Sequence, residues 1–380
     1  MHIAIFTEHF LPKIGGTEIA IVNLAKAMIR LGHKVSVFVS KGLTLKHYEF
    51  VDKDGDIQIE KRFVKLASFL YTKRFLKYCQ DIKVDLIHCH SIVLLTFVLK
   101  TIKIAKIIKV RHILTLHTDL ITNLLIYTKS RLVLKIYNKI LSKIFAKTDI
   151  VSQVSSTPLK SFNKYGVKTS NNFVIVRNGV NFHKISQSEK EKLQEYFYNK
   201  FPHFRGKKII SMVARASKVK NTNFALRSLA KLKNVYPNFV FIFAGGGSYL
   251  KVIKRQASRL GLNSHVFFPG SLKKEELFEL FSVTNIHFFP SFFDTDGLVV
   301  NEAAAFNIPS VVIENTGASE RFVNNESAFI IKDSTQAASD KILEIIDDSH
   351  LLNAVGKKAY SCYQSWDEIA QQYILLATKM

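Results

Sequence analysis

The chain has 380 residues, 47% of them hydrophobic and 22% charged, which excludes a disordered or fibrous protein. Its three cysteines, Cys79, Cys89 and Cys362, form no CxxC pair, so neither a disulfide framework nor a common zinc site is expected, and a reducing compartment fits. Fifty-four basic against 30 acidic side chains leave a net charge of +24.

That charge is uneven. Residues 1–182 hold 29 Lys/Arg and 11 Asp/Glu, a balance of +18; the other 198 hold 25 and 19, a balance of +6. The asymmetry suggests that one half meets an anionic surface, although high solubility in a lysine-rich chain is the plainer reading. No zinc-finger, RRM or KH signature is present, so no nucleic-acid partner is expected.

In chain order, the first strand is expected at 2–7, with no basic leader or small-residue cleavage site before it. Pro12-Lys13-Ile14-Gly15-Gly16-Thr17-Glu18 follows and opens a helix over 18–31, where Ile19, Val22, Leu24, Ala25 and Met28 form a stripe and Gly32 is the stop signal. Further strands are expected at 34–39, 84–89, 111–117, 149–154 and 173–176. The apolar run 92–99 ends at Lys100, well short of the ~20 residues a spanning helix needs. The expected place is therefore cytoplasmic, peripheral on the inner face of the plasma membrane. Between 86 and 147 there are eleven Lys/Arg and one acid, Asp119. Arg131, Lys135, Lys139, Lys143 and Lys147 recur every fourth position, with Ile136, Ile140 and Ile144 beside them. This is either an ordinary helix with lysines in water or a surface that attaches to anionic lipid at about 1 kcal/mol per cation.

Residues 181–207 are polar and charged and read as a connection plus a helix. A second series of strands follows at 208–213, 238–243, 265–268, 286–289, 309–313 and 328–331, and a terminal helix at 366–380. Strands alternating with amphipathic segments predict an α/β protein of two doubly wound domains, each series opening on an edge-like strand. The boundaries are 1–182 plus the terminal helix, and 183–365.

In such sheets ligands sit beyond the carboxyl ends of the strands. Beyond 286–289 comes Pro290-Ser291-Phe292-Phe293-Asp294-Thr295-Asp296-Gly297-Leu298-Val299-Val300-Asn301-Glu302. Asp294 and Glu302 bracket a loop that becomes a helix, and the Gly297, Leu298 and Val299 amides suit phosphate or sugar oxygens. An N-capping Asp with a surface Glu is the bland alternative. Arg215 and Lys220 follow the strand at 208–213 and suit a diphosphate. Gly15 and Gly16 let the backbone approach a phosphate, although the loop is neither GxGxxG nor a P-loop. Gly245-Gly246-Gly247 reads as a nucleotide contact or a tight β-to-α turn, and Phe268-Pro269-Gly270-Ser271 as backbone against a base. His88, His90, His112 and His117 lack metal-ligand spacing, so no metal is expected.

In this order the motifs resemble the retaining GT-B glycosyltransferases of family 4. The likeness runs from Gly15-Gly16 through Leu31-Gly32-His33-Lys34-Val35, Asp85-Leu86-Ile87-His88-Cys89-His90, Thr115-Leu116-His117-Thr118 and Arg177-Asn178-Gly179-Val180 to the carboxylate segment. The resemblance implies two Rossmann-like domains facing across a cleft, with a C-terminal helix crossing back to the first. Arg215 and Lys220 would bind and stabilise the departing diphosphate. Asp294 would hold the donor sugar's hydroxyls and Glu302 the ribose. Gly16 would approach the phosphate, and His117 would lie near sugar and acceptor. Gly297, Leu298, Val299 and Ser271 complete the donor side; Thr118 and Asp119 fall on the acceptor side, and Arg131, Lys135, Lys139 and Lys143 on a membrane surface. No cofactor or metal is implied.

Three departures stand out: Asp294 where the family usually has Glu, Asp296 where an aromatic or small residue is usual, and Asn307 where Gly is common. The Phe-Asp-Thr-Asp-Gly wording is similar to a bacterial subgroup that includes diacylglycerol glucosyltransferases. The expected reaction is hexose transfer from a nucleotide sugar, UDP before GDP-mannose, to a lipid-linked or envelope-glycan acceptor. The alternatives are an epimerase or phosphorylase on the same fold, or a non-enzymatic basic membrane-binding protein.

Overall fold

The first strand, β1 (His2–Thr7), is apolar on both faces: Ile3, Ala4 and Ile5 are fully buried and Phe6 nearly so. A strand of that kind belongs inside a sheet covered on both sides. The computed structural model, which describes all residues except 9, 11–14, 42–43, 54–55, 63–70, 91–94, 170, 181–184 and 379–380, places it there. The chain divides into two units, Met1–Asn181 with Gln364–Met380, and Phe182–Tyr363.

In the first unit β1 is followed by α1 (Gly16–Arg30), β2 (Lys34–Lys41), β3 (Thr44–Lys53), β4 (Asp56–Arg62), α2 (Tyr71–Asp81), β5 (Leu86–His90), α3 (Leu95–Ile108) and β6 (Arg111–Leu116). Then come α4 (Leu120–Tyr127), α5 (Arg131–Lys147), β7 (Ile150–Gln153), α6 (Thr157–Lys164) and β8 (Phe173–Ile175). The sheet runs β4-β3-β2-β1-β5-β6-β7-β8. It is parallel from β2 to β8, and β3 and β4 add an antiparallel hairpin at one edge. Sequence reading expects no strand between 39 and 84. The hairpin is rich in charged residues and has no long apolar run, as suits an edge; its Tyr48, Phe50 and Ile57 are buried.

The second unit holds α7 (Gln187–Lys200), β9 (Lys208–Val213), α8 (Thr222–Lys233), β10 (Phe239–Ala244), α9 (Leu250–Arg259), β11 (Val266–Gly270), α10 (Lys274–Val283) and β12 (Ile286–Phe289). It closes with α11 (Leu298–Ala305), β13 (Ser310–Ile313), β14 (Phe329–Ile331), α12 (Thr335–Ile345) and α13 (Ser349–Tyr360). Its sheet, β11-β10-β9-β12-β13-β14, is wholly parallel. Its core is dense in aromatics, with Phe239, Phe241, Phe243, Phe288 and Phe329 fully or almost fully buried.

The expectation of edge-like opening strands is wrong in both units. β1 and β9 are central, and strand order reverses beside each of them. The reason lies in their two-sided apolarity: Ile209, Ile210 and Met212 of β9 are fully buried, as β1 is. A ligand crevice is expected at these reversals, between β1 and β5 and between β9 and β12.

The last helix, α14 (Trp366–Thr378), packs on α1 within the first unit. Val180 donates its amide to the Gln364 carbonyl at 2.9 Å, and Trp366 lies so close to Gly179 that a Cβ there would stand 2.7 Å from the Trp366 Cα. The Arg177-Asn178-Gly179-Val180 motif is thus the seat of this helix. Asn307 adopts the left-handed conformation, φ 56°, which Asn tolerates better than most non-glycine residues, so its stand-in for Gly is sterically sound.

Candidate active site

In the second unit the site residues gather at the reversal between β9 and β12. Arg215 is exposed on the loop after β9 and makes no hydrogen bond or ion pair among the described residues. Lys220 ends a 3-10 turn, Lys218–Lys220. That turn is pinned to the far side of the reversal: Asn221 donates its side-chain amide to the Pro290 carbonyl at 3.1 Å, and the Ser291 hydroxyl donates to the Val219 carbonyl at 3.3 Å. The Pro290-Ser291 lead-in therefore holds the lysine turn in place. As a result the Lys220 ammonium sits 2.7 Å from both carboxylate oxygens of Asp294 and 5.5 Å from the Phe289 ring centre. The pair is about one-fifth exposed on each side.

Gly297 caps α11 with φ 65°, a left-handed conformation in which an L side chain is strained. No side chain caps this helix, so its first amides, from Leu298 onward, have no capping side chain to satisfy them. Glu302 lies one turn inside α11, half-buried and without a hydrogen-bond or ion-pair partner among the described residues. Burial pushes its carboxyl up to about 7, against an opposing pull from Lys274. The Gly245 amide donates to the Gly270 carbonyl at 2.7 Å, and the Ala216 amide to the Gly246 carbonyl at 2.8 Å. The triple glycine is therefore a tight turn stitched between the strand ends, with Ser271 exposed beside it.

Asp296, the second acid of the loop, turns inward. It is 3% exposed and ion-paired to Arg321, itself 5% exposed. The Arg321 guanidinium lies 4.4 Å from the centre of the Tyr363 ring. The unusual acid thus braces the loop from below.

In the first unit Gly16 opens α1, whose Gly15 cap is extended and offers no side-chain bond; Pro12, Lys13 and Ile14 lie outside the described residues. His117 follows β6 and bonds His90, with Nδ1 of His90 2.8 Å from Nε2 of His117. Burial lowers His88 and His112 to about 3 and His117 to about 4, and holds His90 well below its ordinary value; all four are neutral. Among the described residues no group of His, Cys, Asp and Glu is arranged to hold a metal ion.

Asp119 has a structural task. Its carboxylate caps α4, accepting the amides of Ile121 and Thr122 at 3.0 Å and the Thr122 hydroxyl at 2.6 Å. Thr118 accepts the Asn123 side-chain amide at 2.9 Å. On α5, Arg131, Lys135, Lys139 and Lys143 are all exposed and border a groove of about 690 Å³. Leu132, Val133 and Ile136 are exposed on the same helix, at 68%, 44% and 52%. No helix among the described residues is long and apolar enough to cross a membrane.

Sequence reading did not single out His90, Arg321 or Tyr373 for any role in the site. His90 was legible as the end of the Asp85–His90 motif and as one of four nearby histidines, and the other two carry no local motif.

Two doubly wound α/β units of this build are those of the GT-B fold. Residues 14–184 match the family described as Glycosyltransferase Family 4, and residues 194–361 match Glycosyl transferases group 1. The alpha-monoglucosyldiacylglycerol synthase of Acholeplasma laidlawii is 22% identical over 369 residues, covering 94% of this chain and 92% of that one. The enzyme of the same name from Streptococcus pneumoniae is 25% identical over 327 residues, or 83% and 71% of the two chains. The solved structure of HepE from Anabaena in complex with UDP-glucose aligns over 98% of both chains with a TM-score of 0.73 and 18% identity. The chain belongs to the GT-B glycosyltransferases of family 4, as its motif order implies.

Proposed function

We propose that this glycosyltransferase moves a hexose, with retention and without a metal, from a UDP-sugar to a lipid acceptor at the cytoplasmic face of the membrane. GDP-mannose is the second candidate donor. The observation that carries the reading is the clustering of Arg215, Lys220, Asp294 and the uncapped α11 amides at one strand-order reversal of the second unit.

The chemistry follows from charge. When the sugar leaves, the nucleotide diphosphate gains negative charge, and preorganised cations and amides are worth most at that point. Arg215 and Lys220 supply the cations, so no metal is needed to neutralise the leaving group. Asp294 holds sugar hydroxyls while ion-paired, which fixes its orientation. Glu302 receives the ribose hydroxyls. The family resemblance alone gives Gly16 the role of approaching the phosphate, His117 and Thr118 a place on the acceptor side, and the reaction its retention.

Two things support a lipid acceptor. Relatives that match most of the chain are named as synthases of a glucosyldiacylglycerol. On α5, exposed Leu132, Val133 and Ile136 accompany Arg131, Lys135, Lys139 and Lys143, the combination that lies on an anionic interface. An envelope glycan is the alternative acceptor.

The test is sugar transfer to a lipid extract in anionic vesicles, with UDP-glucose, UDP-galactose, UDP-N-acetylglucosamine and GDP-mannose compared in the presence of EDTA. Lipid-dependent release of UDP, with the donor's anomeric configuration kept in the product, is expected. Release that requires a divalent metal, or none with any donor, contradicts the reading.

A further inference from the structure

The loop at 292–297 sends its side chains in different directions. Phe292 is half-buried against the core and Phe293 is exposed. Asp294 reaches out to Lys220, and Asp296, two positions on, turns in to Arg321. Two ion pairs therefore grip one loop. The outer pair is partly open to solvent; the inner pair is buried at both ends.

Arg321 is itself held. It lies on the loop between β13 and β14, with its guanidinium 4.4 Å from the centre of the Tyr363 ring, and the Phe322 ring meets that ring edge-on at 6.0 Å. The same loop supports the donor loop at two more points. Gly317 lies so close to Thr295 that a Cβ on it would overlap the Thr295 carbonyl, and the Cβ of Ala318 lies 3.3 Å from where a Cβ on Gly297 would stand. The support is closed on itself: the Thr316 amide donates to the Ser319 hydroxyl at 3.2 Å, and the Thr316 hydroxyl to the Ile313 carbonyl at 2.9 Å.

Stability does not account for the inner pair. Two buried charges lose hydration that their attraction only partly returns, and apolar residues of similar size commonly serve as well. The Arg321 Nε is moreover buried without a hydrogen-bond partner among the described residues, which is a further cost. What such a pair does supply is geometry, because a planar guanidinium and a carboxylate meet in few orientations. Geometry matters in this loop. The Asp294 side chain is one methylene shorter than a glutamate, so where its carboxylate ends depends closely on the backbone beneath it.

We propose that Asp296 and Arg321 are the positioning pair for the sugar end of the donor site: they fix the loop so that the short carboxylate of Asp294 reaches the sugar hydroxyls when the diphosphate draws on Lys220. This rests on the placing of Asp294 at the donor sugar under the proposed function.

The test uses Asp296→Phe combined with Arg321→Leu, which avoids the unpaired buried charge that either change alone would leave. Calorimetry of the full-length protein with UDP and with UDP-glucose reads the sugar's share of binding. In the double variant the affinity for UDP-glucose relative to UDP is expected to fall about tenfold, the scale of one charge-assisted hydrogen bond. Asp294→Glu, added to the double variant, is expected to recover most of that loss by its longer reach. A pair with only a structural task would move the urea midpoint and leave the ratio alone. An unchanged ratio in the folded double variant overturns the proposal, and so does a failure of Asp294→Glu to recover it. If the unaltered protein binds neither ligand, the proposed donor site fails. A crystal structure of the double variant then still decides the positioning: the Asp294 carboxylate is expected to lie beyond hydrogen-bond reach of Lys220, about 3.5 Å, and a carboxylate still seated on Lys220 overturns the proposal.

Discussion

The Lys220 ammonium lies 2.7 Å from both carboxylate oxygens of Asp294, across the gap between two strand-end loops. The cation proposed to meet a diphosphate and the acid proposed to hold a sugar neutralise and orient each other in this structure. A donor binding here shares Lys220 rather than recruiting a solvated charge, so little reorganisation remains for the chemical step.

Removing either partner therefore costs turnover twice, through the lost contact and through the loosened neighbour. Lys220→Ala and Asp294→Asn are each expected to lower kcat by about 10²–10³. The double variant is expected to fall well short of the product of the two losses, because the residues act as a unit. Steady-state kinetics of the three variants measure this; strictly multiplicative losses indicate that the two side chains act separately.

Glu302 gives the site a pH dependence of definite sign. Its carboxyl is raised to about 7 by burial, and only the ionised form accepts two hydroxyl hydrogen bonds at full strength. Donor affinity is expected to rise as pH increases through about 7. Glu302→Gln, which cannot ionise, is expected to bind more weakly at high pH with a flat profile. Calorimetric titration of UDP across the pH range reads both curves.

The buried pair of Asp296 and Arg321 makes a stability prediction. Asp296→Ala leaves a buried guanidinium without its counter-ion and is expected to cost about 3–5 kcal/mol. Asp296→Phe combined with Arg321→Leu removes both charges and puts an aromatic residue where the family usually has one. It is expected to recover most of the loss, since a buried pair is often replaceable by apolar groups. Urea unfolding of the single and double variants provides the comparison.

Acid should destabilise the fold early. His88, His112 and His287 are held near 3 and His117 near 4, all by burial. Below the unfolded value of 6.5 the unfolded chain binds protons that the native one does not. The stability these groups supply is full above 6.5 and is lost as pH falls toward 4 and then 3. The loss approaches about 1.4 kcal/mol per pH unit for each histidine. Glu302 acts in the opposite sense, favouring the fold below 4.5 and losing that contribution as pH rises through about 7. Denaturant midpoints at about pH 7.5 and about pH 5.5 are expected to differ, with the acid one lower.

Much of this was legible in the sequence. Strands such as 2–7, 208–213 and 286–289 stand out because their residues are apolar and flanked by polar turns, and the structure has β1, β9 and β12 at those places. The meeting of Lys220 and Asp294 was legible because strand ends bring loops together in any doubly wound sheet. Strand order was not: it depends on which strand is apolar on both faces, and β1 and β9 were read as edges despite that sign. The β3–β4 hairpin escaped because charges interrupt its apolar positions. The partner of Asp296 lies 25 residues away, and local spacing carries no trace of such a pairing. The same holds for Tyr373 of α14, whose partners Thr115 and Ser152 are 258 and 221 positions distant.

The central claim is that the second unit binds a nucleotide sugar through Arg215, Lys220, Asp294 and Glu302. Isothermal calorimetry of UDP-glucose with the unaltered protein and with Arg215→Ala tests it most directly. Saturable binding without added metal, tighter than for GDP-mannose and weakened about tenfold or more by loss of Arg215, is the predicted result, tenfold being the scale of a charge-assisted contact to phosphate. Equal affinity in Arg215→Ala, or no heat with any UDP- or GDP-sugar, would contradict the account.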